Sequence, residues 1–139
     1  NPLATAALYH DASEILTGDL PTPIKYHNAE IMSAYHAVED LAVQKLLGML
    51  PPELRATYAD VLSEDKDGDI YPLVKAADKL SAYIKCIEER KAGNNEFLSA
   101  EAQTRAALEA SPLPEVQYFL EHFIPAFERD LDELGAIGQ

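Results

Sequence analysis

The residue types that could do chemistry are concentrated near the start of the chain, in LYHDASEILTGDLPTP at residues 8–23. His10 and Asp11 are adjacent, and Glu14 follows four residues after the histidine. On one helix, adjacent residues lie about 100° apart, and residues three or four apart share a face. An imidazole and a carboxylate suit a divalent transition metal. The segment predicts a metal site in a cleft or, as the plainer alternative, a His–Asp pair on the surface.

The loop that follows carries further candidates. Gly18 fits the end of the helix, while Pro21 and Pro23 stiffen the backbone and remove hydrogen-bond donors. Such a loop could hold Asp19 and Thr22 beside a metal. It could equally be an ordinary connection between two helices.

A third acid lies far along the chain, in VKAADKLSAYIK at residues 74–85. We expect Asp78 on the apolar face of its helix, with Val74 and Ile84 around it. A core-facing carboxylate is costly unless it is paired or binds a metal. Asp78 is therefore predicted to form an ion pair or, if it faces the His10 helix, to supply a third metal ligand.

Caps, prolines and apolar spacing predict an all-α protein of about six helices. Asn1 fits an N-cap, Gly93 a helix end and Asn95 the next N-cap. Pro125 should kink the last helix. The length suits one domain over residues 1–139 with a real core. The predicted helices cover residues 2–18, 28–51, 52–62, 72–93, 96–110 and 114–134.

Composition restricts the partners. The formal charge is −13, from 24 acidic and 11 basic residues, which argues against a nucleic-acid-binding surface. No apolar run approaches the roughly 20 residues that span a bilayer, so no membrane partner is expected. The single cysteine, Cys86, excludes an internal disulfide and is expected to be an inert packed thiol. A small-molecule partner and a cytoplasmic location are predicted.

Two long segments resemble the HD-domain 5′-deoxynucleotidases, the YfbR-like branch of the HD metal-dependent phosphohydrolases. YHDASEILTGDLPTPIKY, at residues 9–26, resembles the signature of that branch. VKAADKLSAYIKCIEERKAGNNEFL, at residues 74–98, resembles the segment that carries the last metal ligand of the family. The resemblance extends from Leu8 to FIPAF at residues 123–127. It implies an HD-domain helical bundle.

The resemblance also implies roles for individual residues. The implied metal ligands are His10, Asp11 and Asp78. The implied catalytic residues are Glu14 and Asp19. The implied substrate contacts are Asp11, Asp19, Leu20, Pro21, Thr22 and Asp78.

The other polar candidates receive plainer interpretations. His27 and His36 lie where the family needs no ligand and are read as surface residues, and His122 as a partly buried helix residue. DKDGD, at residues 65–69, is typical of a charged turn, because its glycine is fourth whereas a calcium loop needs it sixth. The family's early histidine ligand and an Arg–Trp pair lie upstream of Asn1, so we expect the chain to lack the first helices of the domain.

The implied activity is hydrolysis of 2′-deoxyribonucleoside 5′-monophosphates to deoxynucleoside and phosphate. The implied cofactor is a divalent transition metal such as Co, Mn, Zn or Cu, and the implied assembly is a homodimer. Two alternatives stay open. The chain could act on another phosphate ester, such as a nucleoside triphosphate or a cyclic dinucleotide, or it could be a non-catalytic helical interaction domain with a relic metal site.

Overall fold

The computed structural model describes residues 1–21, 24, 27–63, 68–130, 133 and 135. Regular secondary structure in these residues is entirely helical, which confirms the all-α prediction. None of their helices is both long and apolar enough to cross a membrane. The helices are α1 (Pro2–Tyr9), α2 (Glu14–Thr17), α3 (Ala29–Met49), α4 (Pro52–Leu62), α5 (Tyr71–Lys91), α6 (Leu98–Glu109), α7 (Pro114–His122) and α8 (Ile124–Glu128).

Two of the six predicted helices are each divided in the structure. The first breaks after Tyr9, and the last breaks between His122 and Ile124. Pro125 accounts for the second break, since it has no N–H for the carbonyl four residues earlier and clashes with that turn. The predicted kink is therefore a full interruption. The chain forms two compact units, Asn1–Tyr71 and Pro72–Gln139, and the single domain stays a prediction.

The first unit is built from α1 to α4, with α1 against α4, α2 against α3, and α3 against α4. Asn1 caps α1 as predicted, since its side-chain oxygen accepts from the Leu3 N–H at 3.0 Å. Asn28 caps α3 in the same way, with the Ile31 N–H at 2.8 Å. Both caps satisfy amide groups that the first turn of a helix leaves without partners.

The second unit packs α5, α6, α7 and α8 around one apolar core. The structure corrects one boundary, because α6 begins at Leu98 with Phe97 as its N-cap rather than at the predicted Asn95. The side chain of Asn94 instead accepts from the Glu96 N–H at 3.1 Å. The buried core residues are Leu80, Tyr83, Ile87, Leu108, Val116 and Ile124.

A charged network joins three helices at the end of α5. Arg90 Nε lies 3.0 Å from a Glu101 oxygen, and Arg90 Nη2 lies 2.8 Å from a Glu128 oxygen. The hydrogen bond to Glu101, followed by that to Glu128, raises the pKa of Arg90. Lys91 Nζ donates to the Phe127 carbonyl at 2.9 Å. These bonds fix the ends of α5 and α8 in the second unit.

Leu108→Ala should lower the free energy of unfolding by about 2–5 kcal/mol, because Leu108 is 1% exposed and truncation leaves a cavity. Leu98→Ala makes the same change on the same helix at a position that is 46% exposed, so its loss should be clearly smaller. Urea titrations of both variants measure the difference. Equal losses would contradict the assignment of Leu108 to the core.

Candidate active site

His10 is held by the backbone of the helix that precedes it. It is the C-terminal cap of α1, and its Nδ1 lies 2.7 Å from the Ala7 carbonyl oxygen. Because a carbonyl oxygen only accepts, Nδ1 must carry the hydrogen and donate it. That bond fixes the ring orientation and makes Nε2 the atom available to bind a metal.

Asp11 places a carboxylate beside that nitrogen. His10 Nε2 lies 3.1 Å from Asp11 Oδ2, and the two side chains are 17% and 56% exposed. Two arrangements satisfy this distance. Either a protonated imidazole donates to the carboxylate, or a neutral imidazole and the carboxylate direct lone pairs at a common cation. The second arrangement is the nitrogen-and-oxygen donor set of a divalent metal site, so these two residues fit the metal that the sequence predicts.

A tyrosine pair supports the end of α1. The rings of Tyr9 and Tyr58 meet edge to face, with centroids 6.0 Å apart. A hydrogen bond with Tyr58 raises the pKa of Tyr9, and the nearby Tyr58 hydroxyl adds to the rise. The contact anchors Tyr9, the residue before His10, to Tyr58 on α4. Sequence reasoning missed this support, since no local pattern connects residues 49 positions apart.

The predicted unbroken helix through His10 and Asp11 is wrong. Between α1 and α2 the backbone makes tight bonds to the third preceding residue, from Ala12 N to Tyr9 O and from Glu14 N to Asp11 O, both 2.9 Å. Residues three apart eclipse in such a turn. Glu14, which is half-buried, therefore aligns with Asp11 and not with His10. The sequence had predicted that Glu14 shares a helix face with both His10 and Asp11.

Gly18 ends α2 as predicted, with φ 72° and ψ 162°. This region of backbone angles is open almost only to glycine. Beyond it, Asp19 and Pro21 are exposed and Leu20 is half-buried. The exposed loop residues are positioned where a ligand can reach them. Thr22, the remaining predicted contact in the loop, lies outside the described residues.

The prediction that Asp78 faces the core is wrong. Asp78 is exposed on α5, and it lies nine residues before Ile87, about 180° around the helix from that core residue. Ile84, which was assigned to its face, is six residues away and so about 240° around. Val74, one turn earlier, is correctly placed as a neighbour and is 4% exposed. Exposure leaves the Asp78 carboxylate accessible to a ligand.

The other histidines differ in how well they were predicted. His27 is exposed, as predicted, whereas His36, which was predicted to be a surface residue, is half-buried with its Nδ1 2.8 Å from Glu39 Oε2. His122 is exposed rather than partly buried, and its ring packs at a tilt of 52° against the exposed Tyr118, at a centroid distance of 4.3 Å. Among the described residues, neither His36 nor His122 belongs to a group of three or more potential metal ligands.

Cys86 is half-buried on α5. Burial raises the pKa of its thiol, and the carboxylates of Glu101 and Glu89 raise it further. Because the thiolate is the reactive form, this environment disfavours a nucleophilic role. The acidic turn at residues 65–69 lies mostly outside the described residues.

A solved structure with a similar fold identifies the class of protein. The chain is similar to the crystal structure of an HD-domain phosphohydrolase from Listeria innocua, with a TM-score of 0.75 and 27% sequence identity. The match covers 91% of this chain and 62% of that one. The predicted HD-domain helical fold is thereby confirmed.

The family follows from sequence comparison. The 5′-deoxynucleotidase YfbR-like family profile matches residues 1–127. The 5′-deoxynucleotidase YfbR of Shigella flexneri serotype 5b is 53% identical over 134 residues, which cover 96% of this chain and 67% of the relative. The protein of the same name from Escherichia coli strain K12 / DH10B is 52% identical over the same shares. The chain belongs to the 5′-deoxynucleotidase YfbR-like family.

These comparisons confirm the predicted family and the predicted class of enzyme, a nucleotide phosphohydrolase. The chain spans about two thirds of the length of the curated relatives it matches and 62% of the Listeria protein. The metal, the substrate and the roles of individual residues are the subject of the proposal that follows.

Proposed function

We propose that this chain forms the catalytic part of a metal-dependent 5′-deoxynucleotidase. The substrate would be a 2′-deoxyribonucleoside 5′-monophosphate, hydrolysed to the deoxynucleoside and inorganic phosphate. Membership of the YfbR-like family supports this substrate class, because the matching relatives carry the name 5′-deoxynucleotidase.

The arrangement of His10 is the observation that carries the proposal. Its Nδ1–H is engaged by the Ala7 carbonyl at 2.7 Å, which leaves Nε2 for a metal beside the Asp11 carboxylate. A histidine that binds a metal usually donates its other ring N–H to a carbonyl or a carboxylate, as His10 does here. We assign His10, Asp11 and Asp78 as the metal ligands, the last from its match to the family pattern.

A bound divalent cation lowers the pKa of a coordinated water and polarises phosphoryl oxygens. Glu14 is assigned the proton transfer from the attacking water, since it aligns with Asp11 and a carboxylate suits this role. The water oxygen forms a bond to phosphorus while the bond from phosphorus to the 5′ oxygen breaks. The departing 5′ oxygen would receive the proton that Glu14 took from the water and leave as the deoxynucleoside hydroxyl, which returns Glu14 to its ionised form.

The loop after Gly18 is assigned to the substrate. Asp19 is assigned either to contact the sugar hydroxyl or to assist the departing oxygen, and Leu20, Pro21 and Thr22 are assigned as further substrate contacts from the resemblance to the family. A tight loop at this position would leave no room for a 2′-hydroxyl and would tolerate different bases. Asp11 and Asp78 would also face the substrate, because metal ligands border the phosphate.

Two further assignments extend this proposal. A homodimer is implied by the likeness to the family, and a cytoplasmic location is expected because a single cysteine, Cys86, fits a reducing compartment. Both stay predictions until they are measured.

Treating the purified protein with a chelator should abolish phosphate release from deoxynucleoside 5′-monophosphates, because the ligands alone cannot polarise the phosphate. Adding back Co²⁺, Mn²⁺, Zn²⁺ or Cu²⁺ one at a time should restore turnover to different extents. Metal analysis before and after chelation checks that the treatment removed the ion.

A substrate panel tests the specificity. It should contain deoxynucleoside 5′-monophosphates, ribonucleoside 5′-monophosphates, deoxynucleoside triphosphates and a cyclic dinucleotide. Phosphate release confined to the first group supports the proposal. Preferred hydrolysis of a triphosphate or of a cyclic dinucleotide would replace it with the corresponding HD phosphohydrolase activity, and absence of turnover by the metal-loaded protein would favour a non-catalytic domain.

A further inference from the structure

The Tyr35 hydroxyl holds the backbone at the start of the substrate loop, which we define as residues 18–21. Tyr35 lies on α3, and its hydroxyl donates to the Gly18 carbonyl oxygen at 3.1 Å. The hydroxyl of Thr17 donates to the same oxygen at 2.9 Å. Two hydroxyl donors therefore converge on one carbonyl, at the residue where α2 ends.

The Gly18 carbonyl needs this restraint because glycine is the most flexible residue of the backbone. Gly18, at φ 72° and ψ 162°, has the freedom to adopt many other backbone conformations. In a trans peptide the C=O and the next N–H point in opposite directions, so fixing the Gly18 oxygen also fixes the direction of the Asp19 N–H. The path of Asp19 and Leu20 out of the helix is set by the same peptide.

Tyr35 and Thr17 make different contributions to this restraint. Thr17 is the neighbour of Gly18 and moves with it, so its bond only stabilises the local turn. Tyr35 comes from α3, which packs against α2, and thus ties the loop to a 21-residue helix. We infer that Tyr35 is a positioning residue for the substrate loop, an inference that rests on the proposed function of residues Asp19 to Pro21.

Tyr35→Phe should raise KM for deoxynucleoside monophosphates by about three- to tenfold, the range expected for one lost hydrogen bond. The change in kcat should be smaller, and the metal content should be unchanged, because His10 and Asp11 keep their own contacts. The preference for deoxyribo- over ribonucleotides should fall along with the affinity. A residue that only supports the fold would not change KM and sugar preference while the melting temperature is preserved.

Two further variants make the test specific. Tyr118→Phe removes a phenol hydroxyl from an exposed residue in the second unit and should leave KM unchanged. Thr17→Val removes the other donor to the Gly18 oxygen. In a double-mutant cycle, Tyr35→Phe and Thr17→Val should be non-additive, because both act on one carbonyl. Additive effects would overturn a shared action through Gly18.

Hydrogen exchange separates this inference from the proposed function. In Tyr35→Phe the amides of residues 19 and 20 should exchange several times faster, while those of the second unit should not change. Unchanged exchange at these amides overturns the inference even if activity falls. If the wild-type protein does not hydrolyse deoxynucleotides, the proposed function fails, and faster exchange would still support Tyr35 as the residue that positions the loop.

Discussion

Asp78→Asn is expected to weaken binding of the divalent metal by more than about 100-fold and to reduce turnover to near background. The substitution keeps the size of the side chain and removes the charge that a carboxylate brings to a cation. Changes to groups that merely orient metal ligands already cost about 10–100-fold, so loss of a ligand should cost at least the upper value. The effect is measured by titrating metal into protein from which a chelator has removed the ion, with calorimetry or activity as the readout.

Asp40→Asn is the matched control for this experiment. It makes the same change at an exposed acid on α3 that has no assigned role, so metal affinity should stay within about twofold of the wild type. Melting temperatures of metal-free Asp78→Asn and wild-type protein separate a loss of metal binding from a loss of stability. Asp78→Asn protein that binds metal as tightly as the wild type would show that the ligand set is wrong.

Features set by neighbouring residues were predictable from the sequence. The caps at Asn1 and Asn28, the helix ends at Gly18 and Gly93, and the extent of α4 depend on local hydrogen bonds and backbone angles. A cap residue satisfies amides two or three residues away, so the sequence contains both partners. The all-α fold follows from these local signals.

Features that depend on backbone groups or on distant parts of the chain were not predictable. The orientation of the His10 ring depends on the Ala7 carbonyl, which is not visible as a residue type. The bond from Tyr35 to Gly18 spans 17 residues. The turn after Tyr9 interrupts a run whose composition favours one continuous helix. The position of Glu14 relative to His10 was therefore predicted from α-helical geometry, which does not apply across this turn.

The error at Asp78 shows where apolar periodicity fails. Val74 and Ile84 are apolar and lie within about 80° of each other on α5, so they do share a stripe. Asp78 lies beyond the edge of that stripe, about 40° past Val74 and on the side away from the core face of Leu80, Tyr83 and Ile87. An apolar residue near an acid in sequence therefore does not indicate that the acid is buried. The family resemblance selected Asp78 for a reason that periodicity could not supply.

Glu14→Gln is expected to lower kcat by about 10²–10⁴-fold while the protein keeps its full metal content. General acid–base groups contribute about this much, and glutamine cannot accept a proton from water. The metal should be retained because His10 and Asp11 supply their ligand atoms without Glu14. KM should change little, since the substrate is held by the loop and the metal rather than by the proton acceptor. Steady-state kinetics with parallel metal analysis measure all three quantities.

Glu30→Gln provides the control, because it makes the same change at an exposed acid in the first turn of α3. Its kcat should match the wild type. Loss of metal in Glu14→Gln would instead make Glu14 a ligand. A normal kcat would show that another group accepts the proton, and Asp19 is the nearest assigned candidate along the chain.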